Sequence, residues 1–520
     1  MSARVPDTIA VIGAGTMGAG IAQLAAQAGA RTLLHDPVPE ALERGIAGIA
    51  KGLDRLVAKG KRTAEEVAEI TGRIEAAPTL EDLAPAGLVI EAAPERLEIK
   101  LDLFGKLAGI VAPDAVLATN TSSLSVTEIA ASTPGTERVV GFHFFNPAPV
   151  MKLVEVVAGE GSSEEALAIA RATGEAMGKH VVDAADVAGF LVNRVNRPYS
   201  LESLRLLQAR IGTVEQLDRV MRLGAGFRMG PFELMDLIGI ETNHAVAEGF
   251  YRQTFGEPRF QPSPLQARKI QAGHLGRKTG RGWYAYADGA PHRPEDAPAP
   301  EAGGGAGRVV AVVGSIPLAD ELRSAIADAG FAVLGADGAP EAAGDEPWLT
   351  LDLRLEASEG ALPAGPRAVL LARGSLHALD PQAAGFHAVA PLAGSRLIEV
   401  TATEATTPEA LERLEALITG IGRHVERVAD APGLALGRVV AQLINEAAFL
   451  IGQGDATPED VDAGMRLGVN HPRGPIAWSA ALGLPHVVAI LDALHRELGE
   501  ERYRVAPLLR RRLAVGADLG

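Results

Sequence analysis

The first apolar run of the chain, Thr8–Ile12 (TIAVI), is continuous, short and closed by a glycine, which predicts a buried strand. A turn at Gly13–Gly18 leads into small residues with helical spacing at Ala19–Gly29, and a second strand-like run, Thr32–His35 (TLLH), ends at Asp36. Helical periodicity covers 38–60 and 63–73. Further buried-strand runs stand at Leu88–Ile90, Val116–Ala118 and Val139–Phe142, separated by helical patterns. Apolar strands alternating with helices predict a parallel, doubly wound α/β sheet. From about 185 to 285 strand signals stop and helical periodicity dominates, predicting an all-α domain.

Residues 288–307 (DGAPHRPEDAPAPEAGGGAG) break the pattern and predict a linker, stiff in its Pro half and loose in its Gly half. A new strand pattern begins at Val309–Val313. The second half then repeats the first. An offset of 244 places Gly141-Phe142-His143 on Gly385-Phe386-His387, Leu153–Val156 on Leu397–Val400, Met221–Gly224 on Met465–Gly468 and Gly230-Pro231 on Gly474-Pro475. Near the start of each half an offset of 301 places Ala10–Gly13 on Ala311–Gly314, Gly29 on Gly330 and Asp36 on Asp337. The expected organisation is therefore 1–186 α/β, 187–287 helical, 288–307 linker, 308–430 a second α/β domain and 431–520 a second helical domain.

Composition narrows the function classes. The 520 residues are 47% hydrophobic and 22% charged, as in a globular protein of several domains. No cysteine is present, which excludes disulfides, thiolate zinc sites and a cysteine nucleophile. The net charge of −16 disfavours nucleic acid as a partner. No apolar run approaches the ~18 residues of a membrane span, and the first residues lack the pattern of a signal peptide. A cytoplasmic protein is the expectation.

Gly13-Ala14-Gly15-Thr16-Met17-Gly18 sits between a predicted strand and helix, the context in which GxGxxG binds a dinucleotide. Gly13 makes the turn, Gly15 admits a pyrophosphate, and Gly18 lets helix and strand pack closely; the helix N-terminus adds positive dipole. Asp36, 18 residues after Gly18, is placed to hold ribose hydroxyls and to repel a 2′-phosphate, so NAD is expected. This reads as a Rossmann-type domain. The corresponding turn of the second half is Gly314-Ser315-Ile316-Pro317-Leu318-Ala319. Ile316 obstructs the pyrophosphate position and Pro317 removes a donor, so the second copy is expected to keep the fold and lose the site.

His143 ends a predicted strand at the ligand-binding edge of such a sheet, and Glu155 follows 12 residues later in another strand-like run. If the chain turns back at Pro147–Pro149 the two meet. A neutral imidazole suits removal of a hydroxyl proton while hydride leaves the same carbon. A carboxylate on its other nitrogen fixes the tautomer and stabilises the imidazolium.

Further motifs share this order: Asn120-Thr121-Ser122-Ser123-Leu124, His143-Phe144-Phe145-Asn146-Pro147, Gly189-Phe190-Leu191-Val192-Asn193-Arg194, Gly230-Pro231-Phe232, Asp236-Leu237-Ile238-Gly239 and Lys278-Thr279-Gly280. Together with Gly13–Gly18 they resemble the L-3-hydroxyacyl-CoA dehydrogenases over about residues 5–287. The tandem length and the ending Glu501-Arg502-Tyr503-Arg504 resemble the long bacterial form of phenylacetate catabolism, which acts on 3-hydroxyadipyl-CoA. The resemblance implies oxidation of a 3-hydroxyacyl-CoA to a 3-oxoacyl-CoA, with NAD as cofactor and an acyl-CoA as partner. It makes His143 the general base and Glu155 its orienting partner, with Ser122 and Asn193 on the substrate oxygen and Asn146 bracing the pair. It puts Glu95, Lys100, Asn120 and Lys278 near the cofactor, beside Gly13, Gly15, Thr16, Met17, Gly18 and Asp36. Read singly, Ser122 and Asn120 also fit helix caps, Asn193 a helix–helix bond and Lys278 a solvated loop charge.

In the second copy His387 and Glu399 keep the spacing of 12, while Asn146 becomes Ala390, Asn193 becomes Gly437, Asn120 becomes Ala372 and Ser122 becomes Gly374. That pair is expected to be inert. The helical domain is a dimerisation surface in the family, so the fused copy is expected to form an internal pseudo-dimer, with homo-oligomers also open. The alternatives are a β-hydroxyacid dehydrogenase acting on a free acid, which carries a lysine in place of the His–Glu pair, and a non-catalytic NAD-binding structural protein. Basic residues between Lys51 and Arg62 fit CoA phosphates, an adipyl carboxylate or a solvated face.

Overall fold

The computed structural model describes residues 4–287, 291–334, 346–356 and 362–520. Short apolar runs become most of the strands of two sheets. The first holds β1 (Thr8–Ile12), β2 (Arg31–His35), β3 (Ile74–Ala76), β4 (Leu88–Glu91), β5 (Val116–Thr119), β6 (Val139–Phe144), β7 (Leu153–Ala158) and β8 (His180–Ala185). Their order is β3-β2-β1-β4-β5-β6-β7-β8, and every neighbouring pair is parallel except β6 and β7. That exception matters. The chain reverses between Phe144 and Leu153, and the antiparallel register sets His143 directly opposite Glu155. Residues opposite one another project to the same face, within side-chain reach.

The second sheet repeats the winding with β9 (Val309–Val313), β10 (Ala332–Leu334), β11 (Leu349–Asp352), β12 (Arg367–Leu370), β13 (Ala384–His387), β14 (Leu397–Thr401) and β15 (His424–Arg427). Its order is β10-β9-β11-β12-β13-β14-β15, with only β13 and β14 antiparallel. The two-domain unit is thus an α/β Rossmann-type sheet followed by helices, met twice. Asp337 lies outside the described residues.

The chain forms two compact units that draw on non-consecutive segments. One comprises residues up to Arg194 with Asp455–Val469; the other comprises Val195–Gly454 with Asn470–Gly520. In the first unit the helix Pro458–Gly468, from the second half of the sequence, packs on β7 and β8. The second unit holds the reciprocal arrangement. There Val214–Arg219 and the π-helical turn Val220–Gly224, from the first half, lie on β14 and β15. Arg396 N donates to Leu223 O at 2.7 Å, and Arg219 pairs with Glu426 at 2.8 Å. Each half lends one helical segment to the other's sheet.

Leu436–Gln453 is buried from Leu436 to Leu450, its polar positions Arg438, Gln442, Asn445 and Glu446 included. It is surrounded by the helices Arg197–Gln208, Pro475–Leu482, Leu484–Leu498 and Pro507–Ala514. Arg197–Gln208 overlaps its counterpart under the 244 offset, so equivalent helices of the two halves pack on each other. Among the described residues no single helix is long and apolar enough to cross a membrane. Pro475–Leu482 and Leu484–Leu498 meet that test only as a pair bent by 99°.

Residues 291–307 contain no helix or strand, but they are anchored, which corrects the expectation of a loose glycine half. Asp296 pairs with Arg222 at 3.0 Å and Arg293 with Glu233 at 2.8 Å. Gly303 N donates to Gly420 O at 2.8 Å, and a Cβ on Gly305 would lie 2.4 Å from Phe331. Gly305 is thus required for close packing, while Gly303, Gly304 and Gly307 serve backbone conformations at positive φ.

The helical halves are cemented by a buried charge. Glu202 accepts from Arg205 at 2.9 Å and from Tyr503 Oη at 2.9 Å, and it pairs with Arg438. Burial alone would raise the Glu202 carboxyl, but Arg438 and Arg205 outweigh it and hold the group down at about 2. Glu202→Gln leaves Arg438 without its counter-charge, and urea unfolding is expected to show a loss of about 3 kcal/mol near neutral pH. A depressed carboxyl contributes stability above its unfolded value near 4.5 and loses it as pH falls toward about 2. The gap between parent and variant should therefore close over that acid range.

Candidate active site

The turn after β1 follows its glycines. Gly13 has φ 96°, and a Cβ there would lie 2.6 Å from Ala92 O; its N–H donates to His35 O at 2.8 Å. A Cβ on Gly18 would lie 1.7 Å from Gly13 O, so α1 (Thr16–Gln27) can approach the strand only with glycine there. Gly15 differs, because a Cβ would meet nothing within 4 Å. Gly15 and Thr16 are exposed, Met17 is half-buried, and no side chain caps α1. A helix N-terminus with free N–H groups beside an open glycine is a fit for a pyrophosphate. Asp36 accepts from Ala14 N at 2.8 Å and Val38 N at 3.0 Å, which fixes its carboxylate at the end of β2. Arg31 is engaged by Glu75 at 2.7 Å.

His143 and Glu155 meet. Nδ1 of His143 lies 2.5 Å from Glu155 Oε2, and both side chains are buried. The other carboxylate oxygen accepts from Leu191 N at 3.1 Å and Val192 N at 2.9 Å. Nε2 of His143 has no hydrogen-bond partner among the described residues. Phe145 and Phe190 flank the ring at 4.7 and 5.8 Å between centroids. Leu191 and Val192 face Glu155 because Gly189 (φ 72°) and Phe190 (φ 53°) take left-handed conformations. Asn146 is exposed, so the bracing expected of it comes instead from these two N–H groups. Asn193 is half-buried in the short helix Val192–Val195, next to the N–H groups that hold Glu155.

Ser122 lies in the loop after β5, organised by Glu95. Oε1 of Glu95 accepts from Thr121 Oγ1 at 2.7 Å, Ser122 N at 2.9 Å, Ser123 N at 3.0 Å and Ser123 Oγ at 2.9 Å. Burial would raise its pKa, yet the Lys100 charge and these hydrogen bonds together hold it below the ordinary carboxylate range. Lys100 is fully buried. Its ammonium donates to both oxygens of Glu91 at 2.7 and 2.8 Å and lies 3.4 Å from Glu95. Thr119 completes the cluster by donating to Glu91 at 2.7 Å. Lys100 thus supports the Ser122 loop from beneath, and Glu91 is a residue the sequence reading missed. Asn120 Oδ1 accepts from Phe144 N at 2.8 Å, tying β6 to the same loop. Lys278 belongs to the second unit, where it pairs with Glu241.

The second copy keeps the strand register of the pair but not its hydrogen bond. His387 and Glu399 remain strand partners, but both Glu399 oxygens accept backbone N–H groups, from Ala435 at 3.0 Å and Leu436 at 2.9 Å. His387 Nε2 lies 3.2 Å from His486 Nε2. Burial drives the His387 imidazole well below its ordinary pKa and raises Glu399 to about 8, so both are neutral near pH 7. A Cβ on Gly437 would lie 2.2 Å from the His387 ring, so an asparagine cannot stand there. Ile316 is buried at the first turn of the helix Pro317–Asp328.

Known proteins carry the same pattern. Residues 8–187 match the family described as 3-hydroxyacyl-CoA dehydrogenase, NAD binding domain, and residues 189–286 and 433–517 match its C-terminal domain. A 3-hydroxyadipyl-CoA dehydrogenase of Escherichia coli (strain K12) is 39% identical over 506 residues, 97% of either chain. A probable 3-hydroxybutyryl-CoA dehydrogenase of Bacillus subtilis (strain 168) is 44% identical over 278 residues, 54% of this chain and 96% of its own. The crystal structure of a 3-hydroxybutyryl-CoA dehydrogenase from Escherichia coli K12 substr. MG1655 is similar at a TM-score of 0.84 and 36% identity. It covers 98% of this chain and 99% of that one.

With one open glycine turn and one obstructed by Ile316 and Pro317, calorimetric titration with NAD is expected to saturate at about one equivalent per chain. Two equivalents would show that the second turn also binds.

Proposed function

The chain belongs to the 3-hydroxyacyl-CoA dehydrogenase family, and on that premise we propose that His143, Glu155, Ser122 and Asn193 are its active-site residues and 3-hydroxyadipyl-CoA its substrate. The reaction is the NAD-dependent oxidation of a 3-hydroxyacyl-CoA to a 3-oxoacyl-CoA. Its cofactor supplies a hydride acceptor and is held, in this reading, by Gly13, Gly15, Thr16, Met17, Gly18 and Asp36.

The observation that carries the reading is the His143–Glu155 contact with Nε2 left open. Nε2 removes the proton from the substrate hydroxyl, and the positive charge that develops on the ring is met by the Glu155 carboxylate. Ser122 and Asn193 donate to the oxygen as it becomes a carbonyl. Glu95, Lys100, Asn120 and Lys278 are assigned to the cofactor side, where Lys100, fully buried, acts through Glu95 rather than by direct contact.

The adipyl assignment is supported by the full-length relative of that name and by exposed cations at Lys51, Arg55, Lys59 and Lys61, suited to a second carboxylate. A cytoplasmic location and a role in phenylacetate breakdown are part of the same proposal. So is a pseudo-dimer within one chain, which the mutual packing of equivalent helices supports.

His143→Gln is expected to lower turnover by about 10²–10⁴-fold while NAD affinity stays unchanged. Near-normal turnover would remove His143 from the mechanism. Steady-state comparison of 3-hydroxyadipyl-CoA with the butyryl and hexanoyl homologues is expected to favour the adipyl substrate in kcat/KM. Equal values would overturn that assignment.

A further inference from the structure

We propose that Gly464 and Gly468, from the second half of the sequence, are positioning residues for the His143–Glu155 pair of the first. The inference rests on the assignment of that pair made above. Both glycines lie on the helix Pro458–Gly468, four residues apart and so on one face. A Cβ on Gly464 would stand 2.7 Å from Leu191 Cδ2 and 3.0 Å from Val192 Cγ2. A Cβ on Gly468 would stand 2.8 Å from Leu153 Cδ2, 3.3 Å from Val192 Cγ1 and 3.4 Å from Phe145 Cε1. Leu191 and Val192 are the residues whose N–H groups hold Glu155, and Phe145 packs beside the His143 ring. Just before the helix, Asp455 pairs with Arg194 at 3.3 Å, two residues beyond Val192.

Glycine inside a helix is unfavourable relative to alanine, so helix formation does not ask for it at either position. Space does. In the turn at Gly189 and Phe190 the phenylalanine takes a left-handed conformation that its side chain disfavours, and the turn needs a surface to press against. This helix supplies that surface at backbone distance.

The other copy provides a comparison within the same chain. Under the 244 offset Gly468 corresponds to Gly224, whose Cβ would lie 2.8 Å from Leu436, the counterpart of Val192. Gly464 corresponds to Val220, and Leu191 corresponds to Ala435. Glycine with leucine beside the competent pair is replaced by valine with alanine beside the inert one. Size is exchanged between the two corresponding positions, in the sense that volume conservation favours in a packed interior. The second half of the chain thus completes the seat of the first half's proton-removing group.

The test uses the full-length protein. Gly464→Val, which imports the residue of the inert copy, is expected to lower kcat about tenfold or more, because small misplacements of reacting groups are costly. KM for NAD should stay unchanged, and the acidic limb of the kcat pH profile, which reports the imidazole, should move. Adding Leu191→Ala recreates the pair of the inert copy and is expected to restore kcat to within about threefold of the parent, since the two changes are coupled. Gly464→Ala, which the helix itself favours, should lower kcat in the same sense by a smaller factor, and it reads the contact if the valine variant does not fold.

A folded Gly464→Val with parental kcat and pH profile would overturn the proposal, and so would a loss that Leu191→Ala leaves unrepaired. With Gly464→Val unfolded, parental kcat in Gly464→Ala would overturn it too. Its failure is separable from that of the underlying assignment, which falls only if His143→Gln keeps turnover.

Discussion

Glu155 has no exposure to solvent, and three N–H donors converge on its carboxylate from β6 and from the turn at 191–192. A carboxylate buried without such partners costs several kcal/mol, so the group imposes order on whatever surrounds it. β6 and β7 must run antiparallel in one register, and the chain leaving β8 must bend through a bulky residue at positive φ. A helix from far along the chain closes the remaining side. The Ser122 loop is fixed separately, by the buried Glu91–Lys100 pair acting through Glu95. Rigid support on both sides is what holds an imidazole in one tautomer with its second nitrogen facing outward.

The second sheet keeps the strand order and the residue types but inverts the electrostatics. Glu399 spends both oxygens on backbone amides, and His387 turns to another histidine, so neither carries charge near neutrality. The half-buried Glu426–Arg219 and buried Glu202–Arg438 contacts show what this copy retains, which is the binding of one half's helices to the other's. The contacts that join the halves and the residues at His387 and Glu399 are different sets, so one can be kept while the other changes.

Much of this was legible in the residues. The strands with continuous apolar runs, the glycine turn, the all-α segment and the duplication follow from periodicity and offsets. β3 and β8 escaped because the former has three residues and the latter mixes polar with apolar positions. Glu91 was hidden by its place inside an apolar strand, where a carboxylate has meaning only once Lys100 is seen to reach it. Phe190 gave no sign of its backbone conformation, since aromatic residues ordinarily avoid it. The exchange of helical segments was invisible for a deeper reason. An offset shows which residues are equivalent, and says nothing of whether a helix lies on its own sheet or on the other one.

That exchange has a consequence for how the protein is made. Arg194 leaves the ribosome 261 residues before Asp455. At about 5–20 residues per second, the amino-terminal sheet exists for roughly ten to fifty seconds without the helix that covers β7 and β8. During that interval Leu153, Leu191 and Val192 lack the helix that packs against them in the finished fold. The packing around the His143–Glu155 pair is therefore complete only once residues 458–468 have been made, however early the strands that carry the pair are synthesised.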